Sequence, residues 1–242
     1  MLRRFLTDLG RSPCSGKIFA AMAFVFSLYQ RMPLAQSAYR KTIARFCNPW
    51  LRKANIPYSA VIRKMALRSG DPTRYFSIAL AAETIKREGI EGSVAELGVY
   101  RGDLSVFLEA VLPDRKLYLF DTFSGFPPND DGGYGNLFAN TSVEAVRSRL
   151  HGNAFFRVGY FPDTAQGLEG ERFSFVSLDA DLYNPMLTGI GFFWPRISPG
   201  GYLFLHDFHS HFPVAKAVAD ARLSGVIELP DKHSSAVIRK PY

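Results

Sequence analysis

Residues 93–205 alternate short apolar runs with stretches of helical periodicity, and this alternation constrains the fold more than any other feature. Strands are predicted at 93–97, 116–120, 154–158, 173–178 and 202–205. Helices are predicted near 104–112, 142–150, 185–196 and 214–224. Strands that are apolar throughout and joined by helices are typical of a parallel sheet covered on both faces. Two further segments, 226–229 and 236–240, are predicted to pair at its edge. The expected fold class is therefore α/β, with a doubly wound, mainly parallel seven-stranded sheet.

The formal net charge of +7 is unevenly distributed along the chain. Residues 1–70 hold 13 of the 29 Lys and Arg residues but only one of the 22 Asp and Glu residues, Asp8. Proline residues interrupt this segment, and Ser69-Gly70-Asp71-Pro72 has the composition of a boundary. We therefore predict a basic helical N-terminal extension or lid over residues 1–70, followed by a ligand-binding domain over residues 71–242.

A basic segment favours a nucleic acid, an anionic membrane surface or the acidic body of its own fold as its partner. No nucleic-acid-binding motif is present, so we expect no nucleic acid partner. The apolar run 18–29 is shorter than the roughly 20 residues that span a bilayer. Cys14 and Cys47 lack Cys-x-x-Cys spacing and indicate reduced thiols. We expect a cytoplasmic protein, and peripheral membrane contact through the basic segment and a homo-oligomer remain open alternatives.

The first strand is followed by a turn rich in glycine, Glu96-Leu-Gly98-Val-Tyr100-Arg-Gly102. Glycine lets a backbone turn tightly beneath a ligand. The third glycine of the dinucleotide fingerprint is missing, which argues against an NAD-type oxidoreductase. An acid at Glu96 suits a ligand that carries an ammonium and a sulfonium, as S-adenosylmethionine does. Asp121 follows the second strand, where an acid is placed to bind both hydroxyls of a ribose.

The third strand ends at Gly159-Tyr160, where a small residue and an aromatic ring can flank an adenine. The predicted cofactor-binding residues are Glu96, Gly98, Tyr100, Gly102, Ser105, Asp121, Thr122, Gly159, Tyr160 and Asp179.

Ionisable groups also follow the fourth and fifth strands, as Asp179-Ala-Asp181 and His206-Asp207. Clustered carboxylates repel one another unless protons or a cation neutralise them. Oxygen ligands of this kind suit Mg²⁺ or Mn²⁺. A bound ion would lower the pKa of a substrate hydroxyl and hold the hydroxyl in line with the methyl donor. The pattern therefore predicts a metal-assisted reaction at these strand ends.

Five motifs in combination resemble the macrocin O-methyltransferase family, whose members act on sugar hydroxyls. They are residues 94–102, 119–127, 159–164, 178–183 and 199–202. The resemblance implies a Rossmann-like class I methyltransferase that uses S-adenosylmethionine to methylate a hydroxyl of a small-molecule or glycan acceptor. It also implies that Asp179 binds Mg²⁺ and that Asp181 acts as the general base.

The chain departs from the family at His206, where the family usually has an aspartate. We expect Asp179, His206 and Asp207 to form the metal site, and imidazole shifts its preference from Mg²⁺ toward Mn²⁺, Fe²⁺ or Zn²⁺. A metal-independent enzyme with His206 as the catalytic base is the alternative. An NAD-type oxidoreductase and a non-catalytic binding protein are the competing functions.

Overall fold

The computed structural model describes residues 58–127, 130, 133 and 135–242. These residues form a seven-stranded sheet in the order β3-β2-β1-β4-β5-β7-β6. The strands are β1 Ser93–Leu97, β2 Leu117–Asp121, β3 Ala154–Val158, β4 Phe173–Leu178, β5 Ile197–Leu205, β6 Ile227–Glu228 and β7 Ala236–Arg239. The pairs formed among β1 to β5 are parallel, whereas β7 is antiparallel to both β5 and β6. The predicted doubly wound sheet and its antiparallel edge are confirmed.

Helices cover both faces of the sheet. They are α1 Ala60–Arg68, α2 Pro72–Arg87, α3 Asp103–Val111, α4 Val143–Arg147, α5 Tyr183–Phe193 and α6 Phe212–Asp220. Short 3₁₀ turns occupy Asp163–Ala165 and Trp194–Arg196. One core contains α1, α2 and α3, and the other contains α5 and α6. Strands β1 and β4 are buried along their whole length because they lie between these two layers.

Helix α2 shows how the sequence determines an element beside the site. Its N-cap is Asp71, whose carboxylate accepts a hydrogen bond from the backbone N–H of Arg74, and Pro72 occupies the first turn. Proline fits there because the first helical N–H groups have no partner within the helix. The buried side chains at Ile78, Ala82 and Ile85 recur with the period of an α-helix.

Several boundaries differ from the sequence-based prediction. Strand β5 begins at Ile197, five residues early, because pairing with β4 continues through a register shift in its Pro-Gly-Gly segment, where Gly200 has a φ of +81°. Helix α1 falls inside the predicted N-terminal extension, yet Ile62 and Ala66 pack into the same core as α2. The predictions made for residues 1–57 lie outside the described residues. Among the residues that are described, no helix is long and apolar enough to cross a membrane.

Candidate active site

A cavity of about 390 Å³ opens at the carboxyl edge of the parallel strands. Chain order reverses between β1 and β4, which are neighbours in the sheet, and open α/β sheets bind ligands at such a switch point. Residues that follow each of the five parallel strands line the cavity. From β1 to β5 they include Gly98, Asp121, Gly159, Asp179 and His206.

Asp121 organises the loops on one side of this cavity. One carboxylate oxygen accepts hydrogen bonds from the backbone N–H groups of Val99 and Tyr100, at 2.7 and 2.8 Å. The other accepts from the N–H of Phe123 at 2.7 Å. The first oxygen thus uses both of its lone pairs, whereas the oxygen that accepts from Phe123 keeps one unused. Asp121 therefore fixes the turn after β1 and keeps acceptor capacity on one oxygen.

Gly98 lies where the turn after β1 crosses the end of β4. Its φ is +89°, and a Cβ atom built at this position would lie 1.9 Å from the carbonyl oxygen of Asp179. The glycine is thus required by the backbone conformation and by the close contact of two strand ends. This contact brings the β1 turn next to the acids that follow β4.

Three predicted cofactor contacts, Glu96, Ser105 and Gly102, are not part of the cavity wall. Glu96 is 2% exposed and accepts a hydrogen bond of 2.5 Å from the Ser105 hydroxyl. Burial raises the pKa of Glu96 to about 8, although Ser105 and Arg74 act to lower it. Gly102 is the N-cap of α3 and has a left-handed backbone. Their roles in cofactor binding stay predictions.

Thr122, Gly159 and Tyr160 all line the cavity. The Thr122 hydroxyl donates to the carbonyl of Gly125 at 2.5 Å, so this threonine shapes the turn after β2. The Tyr160 hydroxyl donates to Asp130, which lies in the loop after β2. Burial and this carboxylate raise the pKa of Tyr160. The loop after β2 is therefore anchored to the residue that follows β3.

Asp179 is held from two sides on the other half of the cavity. Its Oδ2 lies 3.1 Å from a guanidinium nitrogen of Arg74, and its Oδ1 lies 2.8 Å from Nδ1 of His206. Burial acts to raise the pKa of Asp179, but the positive charges of His206 and Arg74 outweigh it and hold the pKa below its usual value. Arg74 is only 8% exposed. Asp179 is therefore an ionised carboxylate in a fixed position.

Asp181 and Asp207 both have left-handed backbones, with φ of 58° and 56°. Such conformations are uncommon outside glycine and tend to occur at functional sites. Burial and repulsion from Asp179 and Asp207 raise the pKa of Asp181 well above its usual value. Burial acts in the same direction on Asp207, but hydrogen bonds from His206, His233 and Ser210 lower its pKa overall.

His206 lies between two carboxylates. Its Nδ1 is 2.8 Å from Asp179 and 3.3 Å from Asp207. Burial and the nearby Arg74 act to lower the pKa of His206, but the two acids outweigh them and raise it to about 9. His233 lies 3.3 Å from the other oxygen of Asp207 and also lines the cavity.

The donor set on this side suits a divalent cation. Carboxylate oxygens of Asp179, Asp181 and Asp207 lie within 4.8 Å of one another, as do ligand atoms of His206, Asp207 and His233. The mutual repulsion that raises the pKa of Asp181 is the kind that a cation relieves.

Comparison with known proteins assigns the chain to a family. The family described as Macrocin-O-methyltransferase (TylF) matches residues 70–233. The chain belongs to this family. The 8-demethyl-8-(2,3-dimethoxy-alpha-L-rhamnosyl)-tetracenomycin-C 4'-O-methyltransferase of Streptomyces olivaceus is 28% identical over 156 residues, which are 56% of this chain and 60% of that protein. The mycinamicin III 3''-O-methyltransferase of Micromonospora griseorubida is 29% identical over 149 residues, 52% and 59% of the two chains.

A solved structure, the O-methyltransferase NovP, has the same fold. It superposes with a TM-score of 0.65 at 20% identity, and the match covers 86% of this chain and 99% of NovP. The fold is therefore the Rossmann-like fold of class I methyltransferases, as predicted. The chain matches about three fifths of the length of the two sugar methyltransferases.

Several residues of the cavity wall were not predicted from the sequence. Arg74 and His233 lie outside the five motifs that carry the resemblance, but inside the family match. Asp71 and Lys232 also line the cavity, and the N–H of Lys232 donates to Asp71 at 3.2 Å. Residues 69–72 were predicted only as a boundary, and the available signal for Arg74 was its place just after the Asp71-Pro72 pair, which caps and begins α2.

Proposed function

We propose that this chain is an S-adenosylmethionine-dependent O-methyltransferase that methylates a hydroxyl group of a sugar-bearing small molecule. One observation carries the proposal: residues following five parallel strands line a single cavity at the switch point of a class I methyltransferase fold. One side of the cavity offers glycines and an acid, and the other offers an acid cluster with its counter-charges. A donor and an acceptor can therefore lie side by side.

The cofactor occupies the side formed after β1, β2 and β3. Asp121 binds the ribose, one of whose hydroxyls donates to the lone pair left unused on the oxygen that accepts from Phe123. Gly98 and Gly159 leave space for the nucleoside, and Tyr100 and Tyr160 supply aromatic surface beside it. Glu96 lies behind this wall, where its pKa of about 8 leaves it largely protonated at neutral pH, and the cationic end of the ligand would favour its ionised form.

The acceptor occupies the side that contains Asp181. In the reaction, the acceptor oxygen forms a bond to the methyl carbon as the carbon–sulfur bond breaks, and the bonding electrons remain on sulfur. Asp181 takes the hydroxyl proton, and the products are a methyl ether and S-adenosylhomocysteine. Holding donor and acceptor in line is the main contribution that a protein makes to such a transfer. Arg74 and His206 act on Asp179, which they hold beside the reaction site.

A divalent ion fits the acid cluster, and Asp179 and Asp207 would hold it beside the base Asp181. When bound, it would lower the pKa of the acceptor hydroxyl. Mg²⁺ is the first expectation from the carboxylate ligands, and Mn²⁺ is the alternative that His206 favours.

The acceptor class is proposed from the relatives. Both of the sugar methyltransferases described above are named for a position on a glycosylated small molecule. A neutral sugar hydroxyl suits a cavity whose fixed charges largely compensate one another. The predicted extension over residues 1–70 stays a proposed lid over the acceptor, with contact to an anionic membrane as the alternative for this basic segment.

The proposal is tested by ligand stabilisation and by methyl transfer. S-adenosylhomocysteine should raise the melting temperature of the wild-type chain, whereas NADH should not. Asp181→Asn should keep this shift and lose transfer of labelled methyl groups to a panel of rhamnosylated acceptors. An NADH shift without an S-adenosylhomocysteine shift would overturn the proposal.

Asp121 needs a careful variant, because Asp121→Ala would also release the N–H groups of the β1 turn. Asp121→Asn keeps one oxygen acceptor and removes the charge. It should reduce S-adenosylhomocysteine affinity, and its unliganded melting temperature shows how far the loss of an acceptor for one set of backbone N–H groups destabilises the fold. An unchanged affinity would remove the ribose assignment.

A further inference from the structure

Two imidazole rings converge on one carboxylate at the edge of the acceptor side. Nδ1 of His206 lies 3.3 Å from Oδ2 of Asp207, and Nδ1 of His233 lies 3.3 Å from Oδ1 of the same residue. The ring centroids are 5.1 Å apart. His206 follows β5 and His233 precedes β7, so the antiparallel edge of the sheet brings together residues 27 positions apart in the chain.

The surrounding contacts fix this arrangement. The Ser210 hydroxyl donates to Oδ1 of Asp207 at 2.7 Å and lies 2.9 Å from the carbonyl oxygen of His233. The next residue back, Lys232, donates its N–H to the Asp71 carboxylate at the start of α2. The left-handed backbone of Asp207 directs its carboxylate between the two rings. Supporting hydrogen bonds of this kind hold metal ligands in position.

The spacing agrees with direct coordination of one ion. Ligand atoms about 2.05 Å from a tetrahedral ion lie about 3.3 Å apart. The same distance also suits two protonated imidazoles paired with a carboxylate. Two imidazoles and one carboxylate are a donor set for borderline transition metals, whereas Mg²⁺ prefers oxygen ligands alone.

We propose that His206, Asp207 and His233 form a binding site for a transition-metal ion such as Zn²⁺, Co²⁺ or Mn²⁺, with His233 as the ligand that gives this chain its preference over Mg²⁺. All three residues line the cavity, so a remaining coordination position faces the acceptor side. A role of the ion in methyl transfer rests on the proposed function. Binding of the ion does not, because binding is measured without turnover.

The experiment titrates Co²⁺ into tag-free, chelator-stripped full-length protein and records the visible absorption of the bound ion. One equivalent should bind, Zn²⁺ should displace it, and a large excess of Mg²⁺ should not. His233→Ala should weaken Co²⁺ binding by more than roughly 100-fold, the upper end of the loss that follows removal of an outer-shell partner. The unliganded melting temperature of each variant shows whether it is folded, and His233→Gln replaces the alanine variant if that one is not.

His209→Ala is the matched control. His209 is close in the chain to the site, but its Nε2 is paired at 2.8 Å with Glu228. This variant should bind Co²⁺ as the wild type does. Equal Co²⁺ affinity in the wild type and His233→Ala, no bound Co²⁺ in the wild type, or equal competition by Mg²⁺ would each overturn the proposal. S-adenosylhomocysteine binding by the same samples reports separately on the proposed function.

Discussion

Replacement of Glu96 by glutamine should make the protein more stable at alkaline pH. The Glu96 carboxyl is 2% exposed, and burial raises its pKa from 4.5 to about 8. Because the folded pKa lies above the unfolded one, the native state binds this proton more tightly. The stabilisation that this bound proton contributes is complete below pH 4.5 and is lost as the pH rises through about 8.

The size of the effect follows from the two pKa values. Each unit of difference corresponds to about 1.4 kcal/mol, so the full loss approaches about 5 kcal/mol. Between pH 5.5 and pH 8.5 the linkage relation gives a loss of about 3 kcal/mol in the free energy of unfolding. Glutamine is almost isosteric, keeps a hydrogen-bond partner for Ser105 and does not ionise. The free energy of unfolding of the variant should therefore not show this loss between pH 5.5 and pH 8.5.

The assay is urea unfolding of the wild type and Glu96→Gln at both pH values. Other groups, His206 among them, titrate in the same interval, so the difference between the two proteins is the quantity that matters. Glu91→Gln is the control, because Glu91 is exposed and its replacement should leave the pH dependence unchanged. If wild type and Glu96→Gln lose the same stability between the two pH values, the reasoning from burial is wrong.

Three further substitutions test other contacts of the site. Gly98→Ala places a methyl group against the backbone of Asp179 and should destabilise the fold by about 3 kcal/mol or more in urea unfolding. The control is Gly191→Ala, whose added methyl group meets no atom within 4 Å and should not destabilise the fold. Arg74→Gln should lower the free energy of unfolding by about 2–4 kcal/mol at pH 7, because it removes one of the two cations that hold the largely buried Asp179 carboxylate; no loss would refute the ion pair. Tyr160→Phe removes one hydroxyl donor and should lower stability by about 1 kcal/mol in thermal unfolding, and an unchanged melting temperature would contradict the loop contact.

The sheet was predictable because its strands are buried on both faces. Strands β1 and β4 are mainly apolar and buried along their whole length, and their bounds agree with the prediction. Helix ends were less predictable, since packing decides them: α4 ends at Arg147, three residues early. Helix α1 joins the core although its charge resembles the basic segment before it, because charge composition does not reveal which face of a helix is buried.

The acids of the site were predictable because they directly follow recognisable strands. Asp121, Asp179 and Asp207 needed only the parallel topology to be brought together. Arg74 and His233 come from elements whose position over the cavity depends on tertiary packing. Glu96 is the opposite case. It lies near the end of strand β1, as predicted, but the alternation of side chains along β1 puts it behind the cavity wall.

A crystal structure of the chain with S-adenosylhomocysteine tests the central claim most directly, because that claim concerns where the two substrates lie. The account predicts the ribose hydroxyls on Asp121 and the sulfur facing the side of the cavity that contains Asp181. A cofactor bound elsewhere, or a sulfur directed away from Asp181, would contradict it.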